Sequence, residues 1–323
     1  PRDWSSDVCS SDPPTNNFGR CCRSYSSACS PCAPGLGREF VVQIAVADKS
    51  KGAVANGFIE IPSAALPFLG SQACNLFAPF PGQLTPTLLH SKSISLGAEQ
   101  IAQIMRHELA TLLVREDDLG LLSSLMWSAA NKITAAPDIA PAERIYMLQV
   151  GAWHVLEQNE HRRCVSRYID VAQAVGKLIA RALCQGPATS IDLFRGVFRR
   201  ESHAADLTRI AAYTVLLAQK FGIADGRTLE SIGEGAMLHQ LGKLFLPRDQ
   251  REATGRIEQR TREQLERYPK LGYEQLCERP DLEVGQLMMV YQHCEHADGT
   301  GYPVGIDQDE IHPWAAILAV TST

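Results

Sequence analysis

The sequence contains no apolar run that approaches the ~18 to 20 residues needed to cross a bilayer. It also has no excess of positive charge, because 31 lysines and arginines stand against 36 aspartates and glutamates, a formal net charge of -5. The charges are interspersed and form no basic block, which argues against nucleic acid as a partner. What is left is a globular chain whose apolar fraction of 45% is ordinary for a protein that buries a core.

The cysteines are distributed unevenly along the chain. Residues 1–37 show no helical or strand period, and their opening resembles translated sequencing-adaptor sequence, so we expect a non-native or disordered leader. The later cysteines are scattered singly, which fits a reducing cytoplasm better than a disulfide framework. The leader holds five of the ten cysteines: Cys9, Cys21, Cys22, Cys29 and Cys32.

Regular patterns begin at Glu39. Apolar and β-branched residues at 39–46 and 56–62 predict two strands, and residues 97–109 predict a helix that leads into a third strand at 110–114. We therefore expect a small α/β module over residues 38–118. No motif in it carries chemistry, so a sensory or docking role and a purely structural role both remain open.

Residues 119–185 have a helical pattern almost throughout, with breaks near Pro137 and Pro141, and we interpret them as a helical linker that ends near Gly186. The last part of this segment carries an apolar stripe at intervals of three and four residues. The stripe either packs inside its own chain or forms the seam of a parallel homodimer. Its residues are Tyr168, Val171, Val175, Leu178 and Ala182.

Residues 186–323 contain several amphipathic helical patterns and no convincing strand. One of these helices is predicted to start at Thr261, where Gln264 completes a capping-box pattern. The fold class expected for the chain is therefore mainly α, with a C-terminal helical bundle preceded by the helical linker and the small α/β module.

Two short runs in this region stand out. The first, GAMLHQLGK at 235–243, closes an amphipathic helix and places His239 near its end; the second, HCEHADGTGYPVG at 293–305, leads from a helix into a glycine-rich loop. A histidine at a helix end and a histidine beside a loop could face one pocket. The binding loop would be formed by Asp298, Gly299, Gly301, Tyr302 and Pro303.

This pair of runs resembles the HD-GYP family of bacterial signalling phosphodiesterases, whose pattern is His-Asp-x-Gly-Lys followed by His-His-Glu-x-x-Asp-Gly-x-Gly-Tyr-Pro. The second half matches in register from Glu295 to Pro303. The resemblance implies an HD-type helical bundle, which this chain would not complete. It also implies hydrolysis of cyclic di-GMP in members that hold two or three iron or manganese ions.

The departures from the family pattern fall on positions that the resemblance assigns to metal ligands. Gln240 stands in place of the motif Asp, Tyr268 in place of a His before proline, and Cys294 in place of the second paired His. By spacing, Asp206 replaces an early helix His and Ser322 a late Asp. A neutral amide oxygen cannot bridge two cations as a carboxylate does, so affinity for hard metals should fall.

The resemblance leaves His239 and His293 as residual metal ligands, with Asp206 and Cys294 as substitutes that would suit a single zinc ion. Each also has an ordinary interpretation. The two histidines can be satisfied structural residues, and Cys294 can be a small buried hydrophobe. His203 and Asp206 lie one turn before Leu207 and Ile210, so both can face inward, or both can be polar groups at a helix start. We therefore expect no cofactor; if one binds, it is a divalent metal, iron or manganese as in the family, or zinc.

Lys243 matches the family lysine beside the metals, where the resemblance implies that its ammonium group pairs with a phosphate. A lysine after a helix end can equally just complement the helix dipole. The sequence thus predicts a degenerate, non-catalytic HD-GYP signalling protein that binds cyclic di-GMP or a protein partner. The alternative is an active phosphodiesterase with an altered or single metal.

Overall fold

The computed structural model of the protein describes residues 57–70, 74–79, 85–106, 109–162, 164–186, 202–247, 250 and 259–322. These residues belong to one compact unit, Val54–Thr323. The leader at 1–37 and the strand predicted at 39–46 lie outside the described residues.

A four-stranded antiparallel sheet opens the described part of the chain. Its strands are β1 (Phe58–Pro62), β2 (Leu76–Ala78), β3 (Thr87–His90) and β4 (Thr111–Arg115), in the spatial order β1-β4-β2-β3. Helix α1 (Ala98–Met105) and a 3-10 turn (Ser63–Phe68) accompany the sheet and bury Leu66 and Ile104. Strands β1 and β4 and helix α1 occur where the sequence predicted them.

The rest of the described chain is helical, which confirms the mainly α fold class with a small sheet module. None of the described helices is both long and apolar enough to cross a membrane. Pro141 occupies the first turn of its helix, as expected. The helices are α2 (Leu119–Ser128), α3 (Ala130–Ala135), α4 (Pro141–His161), α5 (Val165–Cys184), α6 (His203–Lys220), α7 (Gly226–Leu238), α8 (Gln259–Leu265), α9 (Tyr268–Leu276), α10 (Val284–Gln292) and α11 (Pro313–Ser322).

The helix start predicted at Thr261 is wrong, because α8 already begins at Gln259. A capping-box pattern marks a start only where the preceding residues leave the helix, and Gln and Arg are good helix formers.

Helix α5 lies inside the helical body and packs against α4, α6 and α7. It crosses α7 so closely that a Cβ atom added at Gly176 would lie 2.5 Å from the carbonyl oxygen of Gly233. The apolar stripe of α5 is a core face, with Tyr168 only 1% exposed and Ala182 fully buried. Because the stripe is covered by its own chain, the reason for expecting a homodimer seam there is removed.

Candidate functional site

Two buried histidines from different helices lie ring against ring. His239 caps the C-terminal end of α7, and His293 caps the C-terminal end of α10. Their ring centroids are 5.0 Å apart, and the ring planes are nearly perpendicular, at 87°. The structure therefore brings together the two histidines that the sequence placed in one site.

His239 has one nitrogen engaged and one without a partner. Its Nδ1 donates to the carbonyl oxygen of Ala236 at 2.6 Å, so Nε2 carries the lone pair. Among the described residues, this Nε2 is the single fully buried side-chain nitrogen or oxygen without a hydrogen-bond partner. Burial, together with the neighbouring His293, lowers the pKa of His239 well below its usual value, so the ring is neutral. A neutral imidazole with a free lone pair can accept a metal or a hydrogen-bond donor.

His293 has both nitrogens engaged. Its Nδ1 donates to the carbonyl oxygen of Val290 at 3.0 Å. Its Nε2 accepts a hydrogen bond from the hydroxyl of Tyr268, the first residue of α9, at 2.6 Å. Burial lowers the pKa of His293 to about 4, which keeps the ring neutral and suited to accept this bond. The Tyr268 hydroxyl therefore occupies the Nε2 lone pair through which His293 would bind a metal.

Cys294 joins the same group of hydrogen bonds. Its Sγ lies 3.0 Å from the Tyr268 oxygen. Since the Tyr268 hydrogen is already donated to His293, the thiol is the donor in this second contact. Burial raises the pKa of the Cys294 thiol above its ordinary value, which favours the protonated form that can donate. Metals bind the thiolate, so a protonated thiol is a weak ligand.

Gln240 stands where the family has its motif Asp, and its side-chain oxygen already accepts two hydrogen bonds. One comes from Lys243 Nζ and the other from His203 Nε2, both at 3.0 Å. An amide oxygen has two lone pairs, so this one is fully used. Lys243 Nζ also lies over the ring of Tyr268, 5.0 Å from its centroid, and burial lowers the pKa of the ammonium group.

Asp206 makes a contact of its own, an ion pair with Arg209 one turn further along α6, and half of its side chain is exposed. The residue of α6 that contacts Gln240 is instead His203, the first residue of the helix. Spacing alone assigned no role to His203. The signal in the sequence was its position one turn before the apolar Leu207, which allows it to face inward.

The GYP loop is folded by its own residues. The carboxylate of Glu295, only 4% exposed, accepts backbone hydrogen bonds from Val304 at 2.8 Å and from Gly305 at 3.0 Å. A Cβ atom at Gly301 would lie 2.3 Å from the backbone nitrogen of His296, so only glycine fits there. The matched loop residues thus hold the loop against the segment that carries His293.

The exposed end of the loop is a tight turn. Asp298 Oδ1 accepts from the hydroxyl of Thr300 at 2.6 Å and from its backbone nitrogen at 3.0 Å, and these hydrogen bonds lower the pKa of the carboxyl group. Gly299 has a φ of 73°, a conformation that residues with a Cβ rarely adopt. Tyr302 and Pro303 are half-buried, and the backbone nitrogen of Tyr302 donates to the carbonyl oxygen of Cys294 at 3.1 Å.

Residues 198–323 match the HD domain family. Over these residues the C-terminal region of this chain is similar to HD domains. The chain is 30% identical over 125 residues to the cyclic di-GMP phosphodiesterase response regulator RpfG of Xanthomonas campestris pv. campestris (strain 8004). It is 28% identical over 120 residues to the cyclic di-GMP phosphodiesterase PdeB of Borreliella burgdorferi. The matches take in 38% and 37% of this chain and 32% and 31% of those proteins, so the chain spans about a third of these curated relatives.

The fold is also similar to a solved structure, "Bd1817, a HDG"Y"P protein from Bdellovibrio bacteriovorus", with a TM-score of 0.52 and 14% identity. That similarity covers 82% of this chain and 86% of the other. At this identity the similarity shows the fold alone, and it extends beyond residues 198–323. Together with the two relatives, it confirms the resemblance to HD-GYP proteins.

The candidate ligand atoms of this site do not fit a two-metal centre. His293 Nε2 is engaged by Tyr268, the Gln240 oxygen by two N–H donors, and Ser322 Oγ donates to the carbonyl oxygen of Ala319. Within the described ranges, no three His, Cys, Asp or Glu side chains are grouped so that they could hold a metal ion. His239 Nε2 is the exception, a buried lone pair without a partner.

Proposed function

We propose that this HD domain does not hydrolyse cyclic di-GMP, and that it works as a signalling module that binds this nucleotide or a protein partner. The observation that supports the loss of catalysis most directly is the 2.6 Å hydrogen bond from Tyr268 to His293 Nε2. The single lone pair of His293 Nε2 cannot accept a hydrogen bond and bind a metal ion at the same time. His293 therefore binds a metal only if the buried hydrogen bond from Tyr268 is broken.

The charge of the site supports the same proposal. Two metal ions a few ångströms apart repel each other strongly, and anionic ligands must offset that repulsion. Gln240 is neutral, Cys294 is held protonated, and the carboxylate of Asp206 is paired with Arg209. The group is therefore too poor in negative charge to hold a pair of divalent cations.

Binding without catalysis is supported by what the site retains. Lys243 brings a half-buried ammonium group beside Gln240, and a cation of this kind can pair with a phosphate oxygen. The loop turn at Asp298 and the side chain of Val304 are exposed, a few residues after His293 and Cys294 along the chain. RpfG and PdeB are named as cyclic di-GMP phosphodiesterases, which makes cyclic di-GMP the first ligand to test.

One observation favours the second candidate, an active enzyme with an altered metal. His239 Nε2 is buried, neutral and unpaired, which is costly unless something binds there. A single metal ion would satisfy this nitrogen, and so would an ordered water molecule.

The test is turnover together with metal content. Purified full-length protein, with manganese or iron added, should release no linear dinucleotide or GMP from cyclic di-GMP, while calorimetry measures nucleotide binding. The matched control is the double variant Gln240→Asp/Tyr268→His, which adds a carboxylate and frees His293 Nε2. We expect it to bind manganese at least about tenfold more tightly than the wild type, the size of effect typical of changed ligand surroundings. Wild-type turnover that carries stoichiometric metal and disappears in His239→Ala would reject the proposal in favour of the enzyme.

A further inference from the structure

A carboxylate from outside the HD domain reaches the site. Glu160 lies in the last turn of α4, before the region that matches the HD family. Its Oε2 atom is 3.3 Å from Nδ1 of His203, the first residue of α6. A negative charge is unfavourable at the C-terminal end of its own helix and favourable at the N-terminal end of another. The favourable position of the Glu160 carboxylate at the N-terminal end of α6 therefore offsets its unfavourable position at the C-terminal end of α4.

Glu160 also lies close to the core stripe of α5. Burial and, in second place, the charge of Glu160 raise the pKa of Tyr168, which is 1% exposed. The side chains of Glu160 and His203 are 22% and 27% exposed, so their contact is partly shielded from water. Three helices thus meet where Glu160 touches His203.

The hydrogen-bond directions along this contact can be assigned from the donors involved. Lys243 Nζ can only donate, so the atom of Gln240 that faces it is the oxygen. The same oxygen faces His203 Nε2, which must then carry a hydrogen. On the other side of the ring, Nδ1 faces a carboxylate oxygen, and this contact is favourable only when Nδ1 carries a hydrogen as well. Both nitrogens of His203 are therefore donors in this arrangement.

We propose that Glu160 is a positioning residue for Lys243. It holds His203 with both nitrogens as donors, His203 fixes the side chain of Gln240, and Gln240 holds the ammonium group of Lys243. The helical region that precedes the HD domain thereby sets the position of the group that would contact phosphate. The effect on nucleotide binding rests on the proposed function, whereas the link from Glu160 to Lys243 in the free protein does not.

The test uses full-length protein labelled with 15N-histidine and 13C-lysine, and compares Glu160→Gln with Glu157→Gln. Glu157 lies one turn earlier on α4, and its carboxylate accepts a hydrogen bond from Trp153 Nε1 at 2.6 Å, so the control removes the same charge from the same helix. In Glu160→Gln, the ring nitrogen signals of His203 and the side-chain signals of Lys243 should shift, with His203 Nδ1 moving towards the value of a nitrogen without hydrogen. Both sets should stay in place in Glu157→Gln. The signals are assigned with His203→Asn and Lys243→Arg.

Cyclic di-GMP binding provides a separate measurement. Loss of the coupling should weaken binding at least about threefold in Glu160→Gln, the lower end of measured couplings within hydrogen-bond networks, and leave Glu157→Gln unchanged. If the wild-type protein binds no cyclic di-GMP, this nucleotide is not the ligand of the proposed function. The Lys243 signals would still decide whether Glu160 positions Lys243. Unchanged Lys243 signals in Glu160→Gln, or equal shifts in Glu157→Gln, would overturn that role. If Glu160→Gln does not fold, Glu160→Asp replaces it, because the shorter side chain also loses the contact with His203.

Discussion

The hydroxyl of Tyr268 donates to His293 Nε2 and accepts from Cys294 Sγ, so one phenol group satisfies a buried imidazole and a half-buried thiol. In Tyr268→Phe, His293 Nε2 would stay buried without a donor, which typically costs about 1–3 kcal/mol. We expect the free energy of unfolding in urea to fall by that amount. Tyr273→Phe, on the same helix, is the control and should change it by less than about 0.5 kcal/mol. Equal losses in both variants would contradict the role given to the Tyr268 hydroxyl.

Single residues show how far the site could be predicted from the sequence. The replacements Gln240, Tyr268 and Cys294 were visible as departures from a motif, and so was the resulting shortage of metal ligands. The hydrogen bonds that take the place of metal contacts could not be predicted, because they join Tyr268 of α9 to His293 and Cys294 at the end of α10, which only the fold brings together. For the same reason, spacing along α6 predicted Asp206 as the site residue, whereas the fold places His203 against Gln240.

The crossing of α5 and α7 depends on two glycines that face each other. Because a Cβ atom at Gly176 would lie 2.5 Å from the Gly233 backbone, the helices must move apart to accept it. Overpacking of this kind costs about 1–3 kcal/mol. We expect Gly176→Ala to lower the free energy of unfolding by about 1–3 kcal/mol or more, although alanine has the better helix propensity.

The matched control lies on the same pair of helices. A Cβ atom at Gly226, the first residue of α7, would have no atom within 4 Å. Gly226→Ala should therefore leave stability unchanged or raise it by up to about 1 kcal/mol, because the unfolded chain loses freedom. Similar losses of stability in Gly176→Ala and Gly226→Ala would show that the close crossing of α5 and α7 is not the reason why Gly176→Ala is destabilising.

The GYP loop depends on the carboxylate of Glu295, which accepts from the backbone nitrogens of Val304 and Gly305. Hydrogen bonds to a charged group contribute about 1.5–3 kcal/mol, and Glu295→Gln removes the charge while keeping one acceptor oxygen. Amide hydrogen exchange at Val304 and Gly305 should then become about tenfold faster or more. The exposed Glu310→Gln serves as control. Unchanged protection in Glu295→Gln would show that other contacts hold the loop.

Among the elements, periodicity predicted the longer ones and failed for the short ones. Strands β1 and β4 have five residues each and carry apolar runs, and both were predicted. Strands β2 and β3 have three and four residues, and Leu88 of β3 is 51% exposed, so no alternation marks them. They are strands because β4 supplies a partner for β2, and β2 supplies one for β3, which is a long-range effect.

For the whole molecule, the part that sequence could not predict is what covers each apolar face. The sequence placed a boundary near Gly186, and the HD family match begins at 198. Yet Glu234 of α7, 4% exposed, pairs with Lys177 of α5 at 3.2 Å and accepts from Gln173 at 3.1 Å. An amphipathic stripe predicts that one face of a helix is buried, but it does not predict which segment covers that face. The packing across this boundary could therefore not be predicted.

The packing across Gly186 predicts that residues 186–323 do not fold alone. Without α5, the Gly233 face of α7 is open to water, and the buried carboxylate of Glu234 loses both Lys177 and Gln173. Removing α5 also uncovers apolar side chains of the helices that pack against it, and each fully uncovered Leu or Ile side chain costs about 1.5–3 kcal/mol, so the loss of several such contacts amounts to several kcal/mol. That loss is a large part of the ~5–15 kcal/mol by which a domain is stable. We expect the fragment to bind a hydrophobic dye, to lack near-ultraviolet circular dichroism and to unfold without a cooperative transition, whereas a fragment that starts at Val54 and retains α5 unfolds cooperatively. A cooperative transition in residues 186–323 would show that this region carries a sufficient core of its own.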